Sequence, residues 1–357
     1  YRILVVNMGS TSSKVAVYDN GAVRFSQSIG HPRKELDAQG SVFDQYGYRL
    51  KAVSDFLTAC NLNFSDFDIL VSRGGNARPA PGGIYVINQA MLDDMRSGRY
   101  GVHPNYNGNR LVYEMGLRYG VPAINLDAPT ADEFCEEARM TGLPEIKRIS
   151  SGHFLSQKAT ARKIAAELGL EHQKTSMIVC HLGGGISVGA HKNGRLIDLN
   201  NALDGDGPMS PERAGSIPAG DLVDMCFSGQ YSRDEMRRKL TGQGGWTAHL
   251  GTADGRELIA RVQADEQLAV QVFTATMYQV AKQIGAMAAV LGESAQAIGL
   301  TGSLAHSTEI VEEIRQRTAY LKLPLYVFAG ENEMEALCAG ALRYLRGEEQ
   351  PQVHCVE

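Results

Sequence analysis

A chain of 357 residues with 43% apolar and 21% charged content is long enough for two domains and a large core, and its composition excludes a disordered chain. A net charge of −5 and an isoelectric point near 6.0 exclude the basic field that nucleic acid or an anionic membrane requires, so a small anionic substrate must be met by individual arginines. No run approaches the roughly 20 apolar residues of a membrane span, and no basic, apolar leader precedes the first strand, so the expected location is cytoplasmic.

In chain order, residues 2 to 28 read as three strands joined at Met8-Gly9-Ser10 and at Asp19-Asn20-Gly21, the second an Asn-Gly hairpin signal, so an antiparallel meander is expected. From Val42 to Leu62 the residues Phe43, Tyr46, Leu50, Val53, Phe56 and Leu57 recur at helical spacing. Asp68 to Ser72 is a short buried strand that runs into Arg73-Gly74-Gly75-Asn76-Ala77-Arg78-Pro79-Ala80-Pro81-Gly82-Gly83, too rich in glycine and proline for regular structure. Ligands often bind beyond strand ends of this kind. Arg73 there is either a solvated charge or, through its planar fork, a clamp for a carboxylate. A helix over 109–119 leads to a strand over 121–126 and to Asp127, whose place before Ala128-Pro129-Thr130 also fits a plain helix cap. Lys147 to Lys158 then enters a helix running to about Leu168.

The stretch Cys180-His181-Leu182-Gly183-Gly184-Gly185-Ile186-Ser187-Val188-Gly189 is an apolar run broken by three glycines. Strand composition on both sides makes it a turn between strands, with Lys192-Asn193-Gly194 closing the second, and not the opening of a helix that a dinucleotide or P-loop motif needs. Consecutive glycines there serve either as a flexible turn or as a concavity of backbone amides for an anion. The N-terminus repeats the design: Met8-Gly9 aligns with Leu182-Gly183, Ser13 with Ser187, and Asp19-Asn20-Gly21 with Lys192-Asn193-Gly194 once one residue is removed between them. Such a repeat implies two related halves facing one cleft. In the first loop small hydroxyls, Lys14 and the Asn7 amide offer donors to phosphate oxygens; in the second the glycine amides do.

Residues 200–213 form a long irregular stretch of the kind that tends to be functional. Helices are expected over 217–228, 232–240 and 265–291, the last apolar round most of its circumference and so buried, partly by another subunit. A strand over 296–300 ends in Thr301-Gly302-Ser303-Leu304-Ala305-His306-Ser307, and a last strand covers 323–328. Gly330-Glu331-Asn332 then leads into a helix over 333–345 that should return to the first domain. Cys60, Cys135, Cys180, Cys226, Cys338 and Cys355 are scattered without metal-ligand spacing and read as reduced thiols.

Four segments, Asn7-Met8-Gly9-Ser10-Thr11-Ser12-Ser13-Lys14, His181 to Gly185, Pro211-Glu212-Arg213-Ala214-Gly215-Ser216-Ile217-Pro218 and Gly330-Glu331-Asn332-Glu333-Met334-Glu335-Ala336-Leu337, resemble the acetate and butyrate kinase family, within the actin, hexokinase and heat-shock ATPase superfamily. The likeness runs along essentially the whole chain, and the triple glycine with the last two segments is closer to butyrate kinases, or branched-chain fatty-acid kinases, than to acetate kinases. It implies a nucleotide site built from Asn7, Ser10, Thr11, Ser12, Lys14, His181, Gly183, Gly184, Gly185, Gly302, Ser303, Gly330, Glu331 and Asn332. It implies an acid site at Arg73, Gly74, Gly75 and Asp127, and catalytic roles for Arg213, Asp127, Arg73 and His153. ATP or ADP with Mg²⁺ are the implied cofactors, Asp127 being the candidate metal ligand. Two departures stand out: Gln157 replaces a second histidine that steadies the phosphoryl group, and His306 stands where acetate kinases are read as keeping a magnesium-linked glutamate.

The expected fold is α/β, two ribonuclease H-like domains made by duplication around a central nucleotide cleft, with 1–150 plus 331–357 as the first and 151–330 as the second. The expected reaction is reversible phosphorylation of a short-chain carboxylic acid, butyrate or a branched acid, by ATP. Acetate or propionate kinase is the nearer alternative. A sugar kinase, in which Asp127 would deprotonate a hydroxyl, or a non-catalytic nucleotide-binding module are alternatives of another class; Arg73 and Arg213 argue against a neutral sugar.

Overall fold

The computed structural model describes residues 1–355. They divide into two compact units, one of residues 1–131 with the chain from Asn332 onward, the other Asp132–Glu331. In the first, β1 (Arg2–Met8), β2 (Ser12–Asp19) and β3 (Ala22–Gly30) form the expected meander, and β4 (Ile69–Arg73), β5 (Ile84–Val86), β6 (Ala123–Leu126) and β12 (Gln352–Val353) complete a seven-stranded sheet in the order β12-β5-β6-β4-β1-β2-β3. In the second, β7 (Ser176–Leu182), β8 (Ile186–Lys192), β9 (Arg195–Leu199), β10 (Ile298–Gly302) and β11 (Leu325–Ala329) run in the order β11-β10-β7-β8-β9. Stripped of β5 and β12, the two sheets have the same topology: an antiparallel meander whose first strand pairs in parallel with the next. This is the duplicated ribonuclease H-like fold.

The duplication extends to details. Asn20 and Asn193 both have φ of 51°, and Gly21 and Gly194 follow at 92° and 76°, which is the left-handed pair that a two-residue hairpin needs. Each hairpin is preceded by a register shift, at Val17/Tyr18 and at Ala190/His191. The register corrects one expected correspondence. Met8 pairs with Ser13 and Leu182 with Ile186, so the missing residue lies inside the glycine turn; Ser13 corresponds to Ile186, and Lys14 to Ser187.

Strands β7 and β8 are buried on both faces, as expected where helices cover a sheet twice. Ile178, Cys180 and Leu182 pack with Val272, Met277, Val280 and Ile284 of the helix Gln267–Leu291. The alternate residues Met177 and Val179 pack with Ala161 and Ile164 of the helix Phe154–Glu167. In the first unit the helix Asn105–Tyr119 lies on β1, β4 and β6, as does the helix Glu333–Leu345. The expected helix over 42–62 begins as a short 3₁₀ turn at Val42–Gln45 and continues as Tyr46–Ala59. Strands β5 and β12 and the helices Gln89–Arg96, Gly255–Gln263 and Thr308–Thr318 had no clear signal in the sequence reading.

The dividing line falls at Ala131, well before the expected residue 150, because 132–150 is fastened to β9. The Cys135 amide donates to the Ile197 carbonyl at 3.0 Å, and Arg148 reaches Asp198 at 2.9 Å and the Leu199 carbonyl at 2.9 Å. Nearby, Lys158 is buried against Glu133, at 3.1 and 3.0 Å from its two oxygens and 2.6 Å from the Gly194 carbonyl. Removing one partner strands a buried charge, so Lys158→Met should cost roughly 3–5 kcal/mol. Urea denaturation checks this, and Lys158→Met with Glu133→Leu should recover most of the loss; a double variant no better than the single one contradicts it.

Candidate active site

The three glycines join β7 to β8, and their amides are used unequally. Gly183 donates to the Gly185 carbonyl at 3.2 Å. Among the described residues the amides of Gly184 and Gly185 meet no protein acceptor, which leaves two adjacent donors for an anion. The Gly184 carbonyl faces the other way and receives the Glu212 amide at 3.2 Å and the Ser210 hydroxyl at 2.7 Å. Ser210 Oγ in turn accepts the Arg213 amide at 3.2 Å. The turn thereby fixes the backbone that carries Arg213. A methyl group built on Gly185 would lie 2.9 Å from the Ala202 carbonyl, 3.5 Å from His153 Cε1 and 3.8 Å from Arg213 Nε, so a glycine, a histidine and an arginine from three segments meet within one small volume. Nε of Arg213 is buried without an acceptor, and its nearest carboxylate, Glu212, stands off at 3.6 Å.

His153 and His181 stack face to face, with centroids 3.8 Å apart at 15°. His181 Nδ1 is 2.9 Å from Ser156 Oγ, and His153 Nδ1 is 3.0 Å from Ser187 Oγ. Gln157 is fully buried and donates to Ser187 Oγ at 3.1 Å, to the Ser187 carbonyl at 3.0 Å and to the Val179 carbonyl at 3.2 Å. Gln157 donates to the Ser187 hydroxyl, which in turn holds His153 Nδ1, so one hydrogen-bonded chain runs from the core to the imidazole. Gln157 therefore orients the histidine from within the core; the sequence had set it in the place of a residue that touches the phosphoryl group.

A cavity of about 860 Å³ opens beside Gly184, lined by Ser303, Leu304, His306 and Ser307 and by the helix Gly255–Gln263 with its cap Asp254. Its size suits a nucleoside. Of the expected loop residues, Ser303 lines this space and Gly302 does not. Gly302 and Gly330 donate to each other's carbonyls at 3.3 and 2.9 Å, and a methyl group on Gly302 would meet the Leu182 carbonyl at 2.3 Å. Both glycines thus join backbone to backbone, with neither amide left for a ligand. Glu331 is an exposed residue just beyond this pair. Asp254, Gly255 and Arg256 were missed by sequence reasoning, although Asp-Gly before an amphipathic helix is a cap signal. The Asp254 carboxyl, hydrogen-bonded by the Arg256 side chain, is held down to about 2.

In the first unit Ser10 and Thr11 are exposed at the β1–β2 turn, Ser12 half-buried, and Lys14 lies in β2 opposite Asn7. Asn7 donates to Glu333 Oε2 at 2.7 Å, and Arg73 Nη1 pairs with Glu333 Oε1 at 3.1 Å. Glu333 lies inside a quoted motif but was not singled out. It follows Asn332, which precedes the helix without capping it by its side chain. Arg73 is steadied through its carbonyl by Asn109 at 2.9 Å and sits opposite Leu126, so Asp127 begins at the neighbouring strand end. Gly74 is a packing glycine, since a methyl there would lie 2.5 Å from Ala128 Cα, and at Gly75 it would lie 2.9 Å from Met95 Sδ. Asp127 is 2% exposed with φ of 41°, and its Oδ1 accepts the Gly83 amide at 2.8 Å. His103 was also overlooked: burial, then the charges of Arg73 and Arg49, push its imidazole down to about 4, so at neutral pH it is an uncharged donor. Among the described residues no cluster of three or more metal-ligating side chains exists, and no helix is long and apolar enough to cross a membrane.

Among solved structures, the acetate kinase of Porphyromonas gingivalis is similar with a TM-score of 0.78 at 16% identity, covering 96% of this chain and 99% of that one. A propionate kinase from Francisella tularensis subsp. tularensis SCHU S4 gives 0.75 at 18% identity, covering 94% and 98%. The ROK hexokinase of Thermus thermophilus gives 0.51 at 15%, covering 97% and 100%. At these identities the likenesses establish the fold alone. The sequence profile of the acetokinase family matches residues 145–338, a span that includes the glycine turn, both stacked histidines, Arg213 and Glu333. With more than half of its length so matched, the chain belongs to the acetokinase family.

Proposed function

We propose that this chain transfers the γ-phosphoryl group of ATP reversibly to a short-chain fatty acid, giving an acyl phosphate and ADP. The observation that carries this reading is the convergence of Arg213, with its acceptor-free Nε, on His153 and the Gly184–Gly185 amides. Such a constellation is suited to neutralising a phosphoryl group. A carboxylate acceptor needs no base, being ionised already; catalysis is then positioning and neutralisation of two anions. Arg213 supplies a planar charge to the equatorial oxygens, His153 an imidazole beside them, and the glycine amides the remaining contacts. Arg73 binds the acid carboxylate, taking it in exchange for Glu333. The sugar-kinase reading loses ground, because the Asp127 carboxylate that would act as base is buried and accepts the Gly83 amide. Mg²⁺ brought with the nucleotide would neutralise charge between its phosphates. Oxygen ligands suit it, and Glu333, beside Asn7, together with Asp127, are the carboxylates of the first unit that fit.

We read the preferred acid as butyrate or a branched four- or five-carbon acid. The motifs Pro211 to Pro218 and Gly330 to Leu337 support this. Hydroxylamine trapping of acyl phosphate tests the activity, and a panel of C2 to C6 acids tests the preference, each well-buried methylene being worth roughly 1–3 kcal/mol. A kcat/KM for acetate equal to that for butyrate would end the butyrate assignment.

The two arginines should fail differently. Arg73→Ala removes binding common to ground and transition states, so KM for the acid should rise greatly while KM for ATP moves little. Arg213→Ala should lower kcat by roughly 10³ with both KM values nearly kept, and Arg213→Lys should restore only part. Loss of turnover at saturating acid in Arg73→Ala would show the division to be wrong.

The metal can be assigned by titration. Glu333→Gln should raise the Mg²⁺ concentration needed for half activity, whereas Asp127→Asn should lower kcat with less change in that requirement. The reverse pattern would give the metal to Asp127.

A further inference from the structure

Arg49, on the helix Tyr46–Ala59, has none of its surface exposed. A guanidinium cannot shed its charge at neutral pH, and buried charges are normally paired with a carboxylate. Among the described residues Arg49 has no such partner. Its acceptors are neutral: Gln45 Oε1 at 3.1 and 3.0 Å, the Ser12 carbonyl at 3.2 Å, Ser13 Oγ at 3.3 Å and the Ser10 carbonyl at 3.1 Å. His31, 2.8 Å from Ser13 Oγ, is held below its ordinary value by burial and then by Arg49 itself, which disfavours a second positive charge beside the guanidinium.

Apart from the two to Gln45, these bonds draw on one feature, the turn between β1 and β2 and the start of β2. Arg49 holds the carbonyls of Ser10 and Ser12, the His31 amide holds that of Thr11 at 2.8 Å, and the Gly9 amide adds to Ser12 at 2.8 Å. Peptide planarity makes N–H point opposite to the preceding C=O, so pulling the Ser10 carbonyl inward turns the Thr11 amide outward. Ser10 and Thr11 are the exposed face of the turn. The turn therefore presents donors outward, with an uncompensated positive charge immediately behind them.

We infer that Arg49 is a positioning residue for the nucleotide's polyphosphate: it fixes the Ser10–Ser12 turn from beneath, and the phosphates supply the negative charge that the protein withholds from it. This rests on the reading that the turn receives nucleotide, but its test does not need turnover. Calorimetry on the full chain would compare ADP with Mg²⁺ against adenosine. Arg49→Met should weaken ADP by about tenfold or more while adenosine changes less than twofold, and Arg49→Lys should recover part. Gln45→Glu keeps the hydrogen bonds but gives the guanidinium a carboxylate of its own, so it too should weaken ADP selectively in a protein that still folds. If Gln45→Glu binds ADP as the parent does, or if ADP and adenosine weaken together in Arg49→Met, the inference is overturned. A parent protein that binds ADP but makes no acyl phosphate would sink the kinase reading and leave this one standing.

Discussion

The carbonyl of Gly184 is the point on which the second unit's chemistry hangs. It receives both the Glu212 amide and the Ser210 hydroxyl, so the loop bearing Arg213 is held by main-chain geometry, and the same peptide turn frees the Gly184 and Gly185 amides on its other side. The far side of the loop is closed just as tightly: Trp246 and Thr247 donate to the carbonyls of Ser210 and Pro211 at 3.1 and 3.0 Å, and a methyl group on Gly245 would lie 1.8 Å from the Ser210 carbonyl. Any side chain at Gly245 would displace Arg213. A cation held through its backbone and left with an acceptor-free nitrogen is prepared for an anion that arrives, which is how preorganised electrostatic stabilisation works.

Charge is handled in three ways in this protein. Lys158 and Glu133 cancel each other inside the second unit. Arg73 pairs with the carboxylate of Glu333, which also accepts from Asn7. Arg213 and Arg49 have only loose or neutral partners. The first arrangement is fully compensated within the core, the second is shared with a neutral amide, and the third leaves a cation without a close carboxylate.

Much of this was legible in the sequence because it rests on local signals. The Asn-Gly turns announced two hairpins, and strand composition on both sides of the triple glycine excluded a helix-opening motif. What was not legible depends on register or on distant packing. Placing the missing residue after Ser13 instead of inside the glycine turn put Ser13 on Ser187, an error that only the cross-strand pairs reveal. Glu333 meets Asn7 across 326 residues of chain, and no periodicity reports such a distance. Gln157 looked like a failed histidine because its neighbours Val179 and Ser187 become neighbours only in the sheet. Residues 132–150 carry few regular elements, so nothing in their composition assigned them to the strand that holds them.

Corrected register also shows how a duplicated fold divides its labour. Asn7 faces Lys14 in the first unit, and His181 faces Ser187 at the equivalent cross-strand position in the second. The same two places on the same pleat thus hold an amide and a cation in one copy, an imidazole and a hydroxyl in the other. Around the first pair the structure adds Arg73, Arg49 and Glu333, all charged; around the second it adds His153 and Gln157, joined through Ser187. A backbone that repeats so closely, down to the Asn-Gly angles and the preceding register shift, leaves side chains as the means of divergence.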